Sequence, residues 1–266
     1  MNYLLIEPEF PYPNKSKNQA GTIHRNFVPI GLLKLGTLYK SKGANVKLVR
    51  GKKEHADIGF EPSHIFVTSI FTYWSSYVWD AIEHYRKLYP EAEIILGGIY
   101  ATLHHKRKYF KKKLEKYNVQ SMHGLHKEAE NYYPDYSLLN EDIKQHVTHA
   151  MRGCIRRCSF CGTWRIESKR YDKPVNELIE EIIAVNKRKV LFFDNNFLAH
   201  GDVENLLKEL ADLKVKGRPV YYESQSGFDG RLLQKKPKLA ELIYKARFRN
   251  IRIAWDNSIG SYKSIK

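Results

Sequence analysis

Cysteine is scarce in this chain. Three occur in 266 residues, too few for the even-numbered disulfide framework of a small secreted domain. All three sit together as Cys154, Cys158 and Cys161, a usage that points to a reducing, cytoplasmic setting. No apolar run approaches the roughly 20 residues needed to cross a bilayer. The N-terminus MNYLLIEPEF lacks a basic leader before its apolar run and soon meets acids and prolines, unlike a signal peptide. Acidic residues are in the minority, 29 Asp plus Glu against 45 Lys plus Arg. The formal net charge of +16 favours a polyanionic partner without choosing among RNA, DNA and an acidic protein surface. A disordered chain is excluded by 42% hydrophobic and 13% aromatic residues.

Short apolar runs alternate with helical patterns through the first half. Tyr3–Ile6, Val46–Val49, His64–Ile70, Glu93–Leu96 and Val119–Met122 read as strands. Between them, Val28–Lys42 repeats its leucines at helical spacing before Gly43, and a second helix runs from about Trp74 to Leu88 before Pro90. This alternation predicts an α/β domain built on a doubly wound parallel sheet, with ligands beyond the carboxyl ends of the strands. The candidate surface is then the loops after Ile6, after Ile70 and at Gly97 to Thr102. Seven basic residues crowd Lys106–Lys116, read as the solvated face of a helix that buries Tyr109, Phe110 and Leu114, with an RNA footprint as the competing reading. His104, His105, His123 and His126 have no carboxylate or cysteine among them at ligand spacing and receive no role.

Boundaries fall at 1–127 for this domain, 128–144 for a tyrosine-rich, packed connector, and 145–266 for a second α/β domain. In the latter, strands are expected at Gln145–Ala150, Lys189–Phe193, Pro219–Glu223 and Ile251–Asp256, with helices over Pro174–Val185, Asp202–Leu213 and Leu239–Ala246. The stretch GCIRRCSFCGTW, Gly153 to Trp164, places the three thiols C-x3-C-x2-C on one loop. Three thiolates can hold three irons of a [4Fe–4S] cubane and leave the fourth open. The competing reading is a Cys3His zinc site using His146 or His149, in a non-enzymatic, basic, metal-stabilised nucleic-acid-binding module.

The cysteine spacing, with Phe160 before the last cysteine, resembles the radical S-adenosylmethionine (radical SAM) superfamily. The resemblance implies a partial (βα) barrel in which the open iron chelates S-adenosylmethionine and one electron splits its S–C5′ bond, giving a 5′-deoxyadenosyl radical. An electron donor of flavodoxin or ferredoxin type is implied as a partner. FDNNF, Phe193 to Phe197, resembles an element after the second strand of relatives fused to a cobalamin-binding domain. Phe160, Gly162, Asp194, Ser224, Gln225 and Arg231 are thereby expected near S-adenosylmethionine or the substrate, and no residue is assigned as a catalytic acid, base or nucleophile. Asp256 falls near a position where relatives often carry a glutamate.

The phrase ILGGIYATLHH also resembles the cobalamin (B12)-binding domain that precedes many radical SAM domains, with Gly97 and Gly98 against the cofactor tail. The D-x-H-x-x-G motif that supplies a lower cobalt ligand is absent, so a cobalamin site adding methyl transfer and a scaffold that has lost the cofactor both stand. Members that methylthiolate tRNA carry three further cysteines, which this chain lacks. Radical SAM barrels have six strands and only four are legible here, so the resemblance also implies a barrel truncated after about four strands. An inactive fragment, or a chain that needs a C-terminal partner to cover the edge beside Ile251, Ile253 and Trp255, is expected on that count.

Overall fold

A computed structural model of the chain describes residues 1–11 and 28–254. The chain divides into two compact units, Met1–Asp142 and Ile143–Lys266. Among the described residues, no helix is long and apolar enough to cross a membrane.

The first unit runs β1 (Asn2–Glu7), α1 (Ile30–Ser41), β2 (Asn45–Arg50), α2 (His55–Ile58), β3 (His64–Ser69), α3 (Ser75–Leu88), β4 (Glu93–Gly98), α4 (Ile99–His104), α5 (Lys108–Tyr117) and β5 (Val119–Ser121). Its five strands are parallel in the order β2-β1-β3-β4-β5. Successive side chains leave opposite faces of a strand, and here both faces are apolar, as a parallel sheet with helices on each side requires. Leu4, Ile6, Ile65 and Val67 pack with Val78, Trp79 and Ile82 of α3 and Phe110 of α5. Tyr3, from the opposite face, stacks on Tyr39 of α1 with ring centroids 4.0 Å apart.

The tyrosine-rich stretch after β5 packs on α1 and belongs to the first unit. Lys34 pairs with Glu130 at 3.0 Å, Lys40 with Asp135 at 2.7 Å, and Thr37 Oγ1 donates to the Tyr133 carbonyl at 2.7 Å. A Cβ at Gly36 would lie 2.2 Å from Leu138 Cδ1, so the missing side chain is what lets the stretch seat.

One detail of the first unit corrects the sequence reading, and a second gives a glycine its local cause. Tyr109 is 48% exposed, leaving Phe110 as the fully buried residue of α5, because neighbouring positions of a helix point about 100° apart and leave different faces. Gly98 has φ +97°, and a Cβ there would lie 2.1 Å from the Ser69 carbonyl oxygen. The neighbouring strand therefore demands this glycine whether or not a ligand binds. Gly97 faces Met122, whose Cε would be 3.1 Å from an added Cβ.

The second unit contains β6 (Gln145–Thr148), β7 (Met151–Arg152), α6 (Thr163–Ile166), β8 (Tyr171–Asp172), α7 (Val175–Val185), β9 (Lys189–Phe192), α8 (Val203–Asp212), β10 (Lys214–Val215), β11 (Arg218–Pro219), β12 (Tyr221–Ser224), β13 (Phe228–Asp229), α9 (Gly230–Lys235), α10 (Lys238–Lys245) and β14 (Ile253–Ala254). Three parallel strands, β12-β9-β6, form its sheet. Leu178 and Ile182 of α7, Leu206, Leu207 and Leu210 of α8 and Phe192, Phe197 and Tyr222 fill one core.

The fourth strand differs from the reading of Ile251–Asp256. Tyr222 bridges Phe248, and β14 pairs with β13 rather than β12. Arg247 and Asn250 have φ of +61° and +50°, so the chain turns twice through left-handed residues, one on each side of the Phe248 bridge, ahead of β14. Ile251 and Ile253 are exposed, while Trp255 and Asp256 lie outside the described residues.

A buried polar knot holds α7 to the sheet. Glu181, 1% exposed, accepts from Thr148 Oγ1 at 3.0 Å, pairs with Lys173 and lies 3.1 Å from His146 Nε2.

Candidate metal and cofactor site

The cysteine loop leaves β7 and returns through α6 to β8, which pairs antiparallel with β7 and closes the loop at its base. Gly153 turns the chain out with φ +76°, and a Cβ there would lie 3.0 Å from the Lys169 carbonyl oxygen. Glu167 ties the base by accepting from Gly153 N at 2.7 Å, Arg152 Nη1 at 2.9 Å and Asn195 Nδ2 at 2.9 Å. All three cysteines are free, partly exposed thiols. Cys154 Sγ accepts from Arg156 N at 3.4 Å and Cys161 Sγ from Thr163 N at 3.5 Å. Among the described residues, no three Cys, His, Asp or Glu side chains stand at metal-ligand spacing. The donor set itself suits a cluster: soft thiols, amide N–H groups aimed at two of them, and one short loop that carries all three.

FDNNF anchors this loop residue by residue. Asp194 is fully buried and accepts from Ala150 N at 3.0 Å and Met151 N at 2.6 Å, so it clamps the turn from β6 into β7. Burial pushes its carboxyl up to about 7, against the lowering effect of those two amides. It positions the loop from beneath. Asn195 Oδ1 accepts from Thr163 Oγ1 at 3.0 Å, beside Cys161. Asn196 Nδ2 points to Cys154 Sγ at 3.9 Å and donates to Asp229 Oδ2 at 3.0 Å.

Asp229 is the hub on the other side. It accepts from Arg156 Nε at 2.6 Å, from Asn196, and from the Arg231 backbone N at 3.0 Å and Nε at 3.2 Å. Burial alone would raise its carboxyl, and the bonds from Arg156, Arg231 and Asn196 outweigh that and hold it below the ordinary range. The guanidinium between Cys154 and Cys158 is thus tied to β13.

The expected site residues divide. Arg231 joins the Asp229 hub. Ser224 Oγ is occupied in its own turn, donating to the Gly227 carbonyl at 3.0 Å. Phe160 is 75% exposed, and Gly162 sits at φ −85°, where any residue fits. Gln225, at the carboxyl end of β12, has a buried Oε1 without a donor, as does Asn196 Oδ1 after β9. Two orphaned acceptors at neighbouring strand ends are what a polar ligand with N–H or O–H groups would satisfy. The spacing of the sequence missed Glu167 and Asn196, since their partners are distant in the chain. His146, a candidate zinc ligand, is buried against Glu181 instead.

Residues 148–256 match the family model for the Radical SAM superfamily. The second unit carries a radical SAM domain. No curated protein sequence matches the chain. Among solved structures, the chain is similar to OxsB, described as a cobalamin-dependent S-adenosylmethionine radical enzyme, in its apo form, with a TM-score of 0.58 and 15% identity. That likeness covers 98% of this chain and 44% of the other, so the chain spans less than half the length of the solved protein. OxsB with aqua-cobalamin bound gives a TM-score of 0.46 at 13% identity over 92% and 41% of the two chains, and adds nothing to the assignment. The likeness to apo OxsB is one of fold: α/β units with parallel sheets.

Proposed function

We propose that the chain is a radical SAM iron–sulfur protein that binds S-adenosylmethionine through the cysteine loop. The observation that carries this reading is the triad of free thiols on a loop anchored at the carboxyl edge of the parallel sheet, inside the matched radical SAM segment. Cys154, Cys158 and Cys161 would hold three irons of a [4Fe–4S] cluster. When bound and reduced by a flavodoxin- or ferredoxin-type donor, the cluster supplies one electron that cleaves S-adenosylmethionine to methionine and a 5′-deoxyadenosyl radical. Asp194, Glu167 and Asp229 fix the loop against the strand ends, so the thiols are carried on a braced base rather than a free loop. Asn196 Oδ1 and Gln225 Oε1 offer acceptors to the amino or hydroxyl groups of the bound nucleoside.

Cobalamin in the first unit is a second reading. It is supported by a crevice of about 470 Å³ lined by Glu9, Phe10, Lys52, Tyr77 and Asp80 at the carboxyl ends of β1 and β2. A sheet ordered β2-β1-β3-β4-β5 takes ligands at that edge.

Anaerobic reconstitution with iron and sulfide, reduction and addition of S-adenosylmethionine should yield 5′-deoxyadenosine by chromatography. Stoichiometric zinc without iron uptake would sink the reading. The same preparation titrated with hydroxocobalamin separates the two forms of it: no spectral change at tens of micromolar, where a specific cofactor site saturates, leaves the first unit a scaffold.

A further inference from the structure

The opposite edge of the second unit's sheet, away from the cysteine loop, is strongly basic. The amino ends of the strands lie there, with Lys189 and Tyr221 paired in register across β9 and β12. Arg188 donates from Nε to the Pro219 carbonyl at 3.2 Å, and its guanidinium lies 5.9 Å from the Tyr221 ring. Arg249 lies 5.2 Å from the same ring. One tyrosine ring thus has two guanidinium groups within 6 Å of its centre. The β10–β11 hairpin adds three exposed cations to this edge, Lys214, Lys216 and Arg218, with Lys216 at its tip in a left-handed conformation of φ +53°.

Among the described residues, this charge is not taken up by close ion pairs. Lys189, Lys216, Arg218 and Arg249 have no carboxylate partner, whereas the arginines beside the cysteines, Arg152 and Arg156, are each paired with one. Uncompensated like charge on one edge costs stability through mutual repulsion, so its placement calls for an external anion. In a parallel-strand barrel the chemistry is at the carboxyl end, so these cations do not serve the reacting centre. Arginine beside an aromatic ring offers a fork for phosphate, and both its own plane and the ring offer a face for an unstacked base. An acidic peptide would use only the fork.

We propose that this edge binds the phosphate backbone of single-stranded nucleic acid, with Tyr221 and its two arginines as the stacking element. The proposal does not rest on the cluster assignment. It also differs from the lysine-rich α5 of the first unit, whose Lys113 lies 5.2 Å from the Trp79 ring of its own fold.

The test is fluorescence anisotropy of the full chain with labelled 20-mers of oligo(U) and oligo(dT) between 50 and 200 mM KCl. The triple charge reversal Lys189→Glu, Arg218→Glu, Arg249→Glu should weaken binding at least about tenfold and reduce the log–log salt slope by about 2, given a slope of about −0.7 per phosphate contact on single strands. Tyr221→Ala should weaken it about fivefold or more. The two oligonucleotides distinguish RNA from DNA as the source of the backbone. Should the triple variant fail to fold, Lys216→Gln and Arg218→Gln, on the exposed hairpin, should each lower the slope by about 0.7. The proposal is overturned if Lys111→Glu with Lys112→Glu on α5 removes binding while the edge variants leave it intact, or if polyglutamate of equal length competes as well as oligo(U).

Discussion

Cys158→Ser should leave the reconstituted protein without its visible iron–sulfur absorption and with 5′-deoxyadenosine formation at the level of a protein-free control. The same loss is expected for Cys154→Ser and Cys161→Ser. The reason is stoichiometric: an open iron requires three thiolates on the other three, and the loop that carries them holds no fourth cysteine to substitute. Serine preserves size while replacing a soft donor that ionises near neutral pH with a hard one that does not. The loop's fold should survive, because Glu167, Asp194 and Asp229 hold its backbone and the neighbouring arginine without using a sulfur. Unchanged circular dichroism with lost iron is therefore the expected pair of observations. Undiminished turnover in any of the three variants would remove the cluster from the account.

The largest effect on stability is expected at Glu181. Removing this carboxylate by Glu181→Ala strands Lys173 and His146 without their buried partner, a type of loss that costs about 3–5 kcal/mol. Its pH signature has a definite sign. Burial alone would raise Glu181, but the His146 bond and the charge of Lys173 outweigh it and bring the carboxyl down to about 2 from an ordinary 4.5. A lowered folded value gives stability that is present above pH 4.5 and lost as pH falls toward 2.

Asp194 works in the other direction. Its folded value of about 7 lies above an ordinary 3.8, so its share of stability is full below pH 3.8 and fades as pH rises through 7. The two groups together favour a stability maximum near pH 4 to 5 for the second unit. Urea unfolding from pH 2.5 to 8 checks this: Glu181→Gln should flatten the acid limb, and Asp194→Asn the neutral limb. Profiles parallel to the unsubstituted protein would contradict both assignments.

Much of this architecture was legible in the residues because burial writes a period into the sequence. The runs at Tyr3–Ile6 and His64–Ile70 are apolar on both faces, which only a strand covered on two sides requires, and they became β1 and β3. The cysteine spacing was legible for a different reason: a short loop brings its own ligands together, with no long-range fold needed. What was not legible depends on contacts between distant positions. Arg156 meets Asp229 across 73 residues and Asn196 meets Cys154 across 42, and no periodicity encodes either.

Backbone conformation was the other blind spot. Arg247 and Asn250 adopt left-handed conformations just ahead of the fourth strand that an apolar run does not announce. Gly98 has a cause that the sequence does not show: the Ser69 backbone leaves no room for a side chain there. Nor does a motif show depth: Asp194 is fully buried and braces the turn into the cysteine loop.

The central claim is that three thiolates leave one iron open to S-adenosylmethionine. Electron paramagnetic resonance of the reduced, reconstituted protein, recorded before and after S-adenosylmethionine is added, tests it most directly. The account predicts a [4Fe–4S]⁺ signal whose g values move when S-adenosylmethionine binds and stay put with S-adenosylhomocysteine-free buffer alone. A signal that is absent, or that is unchanged at saturating S-adenosylmethionine, would contradict it.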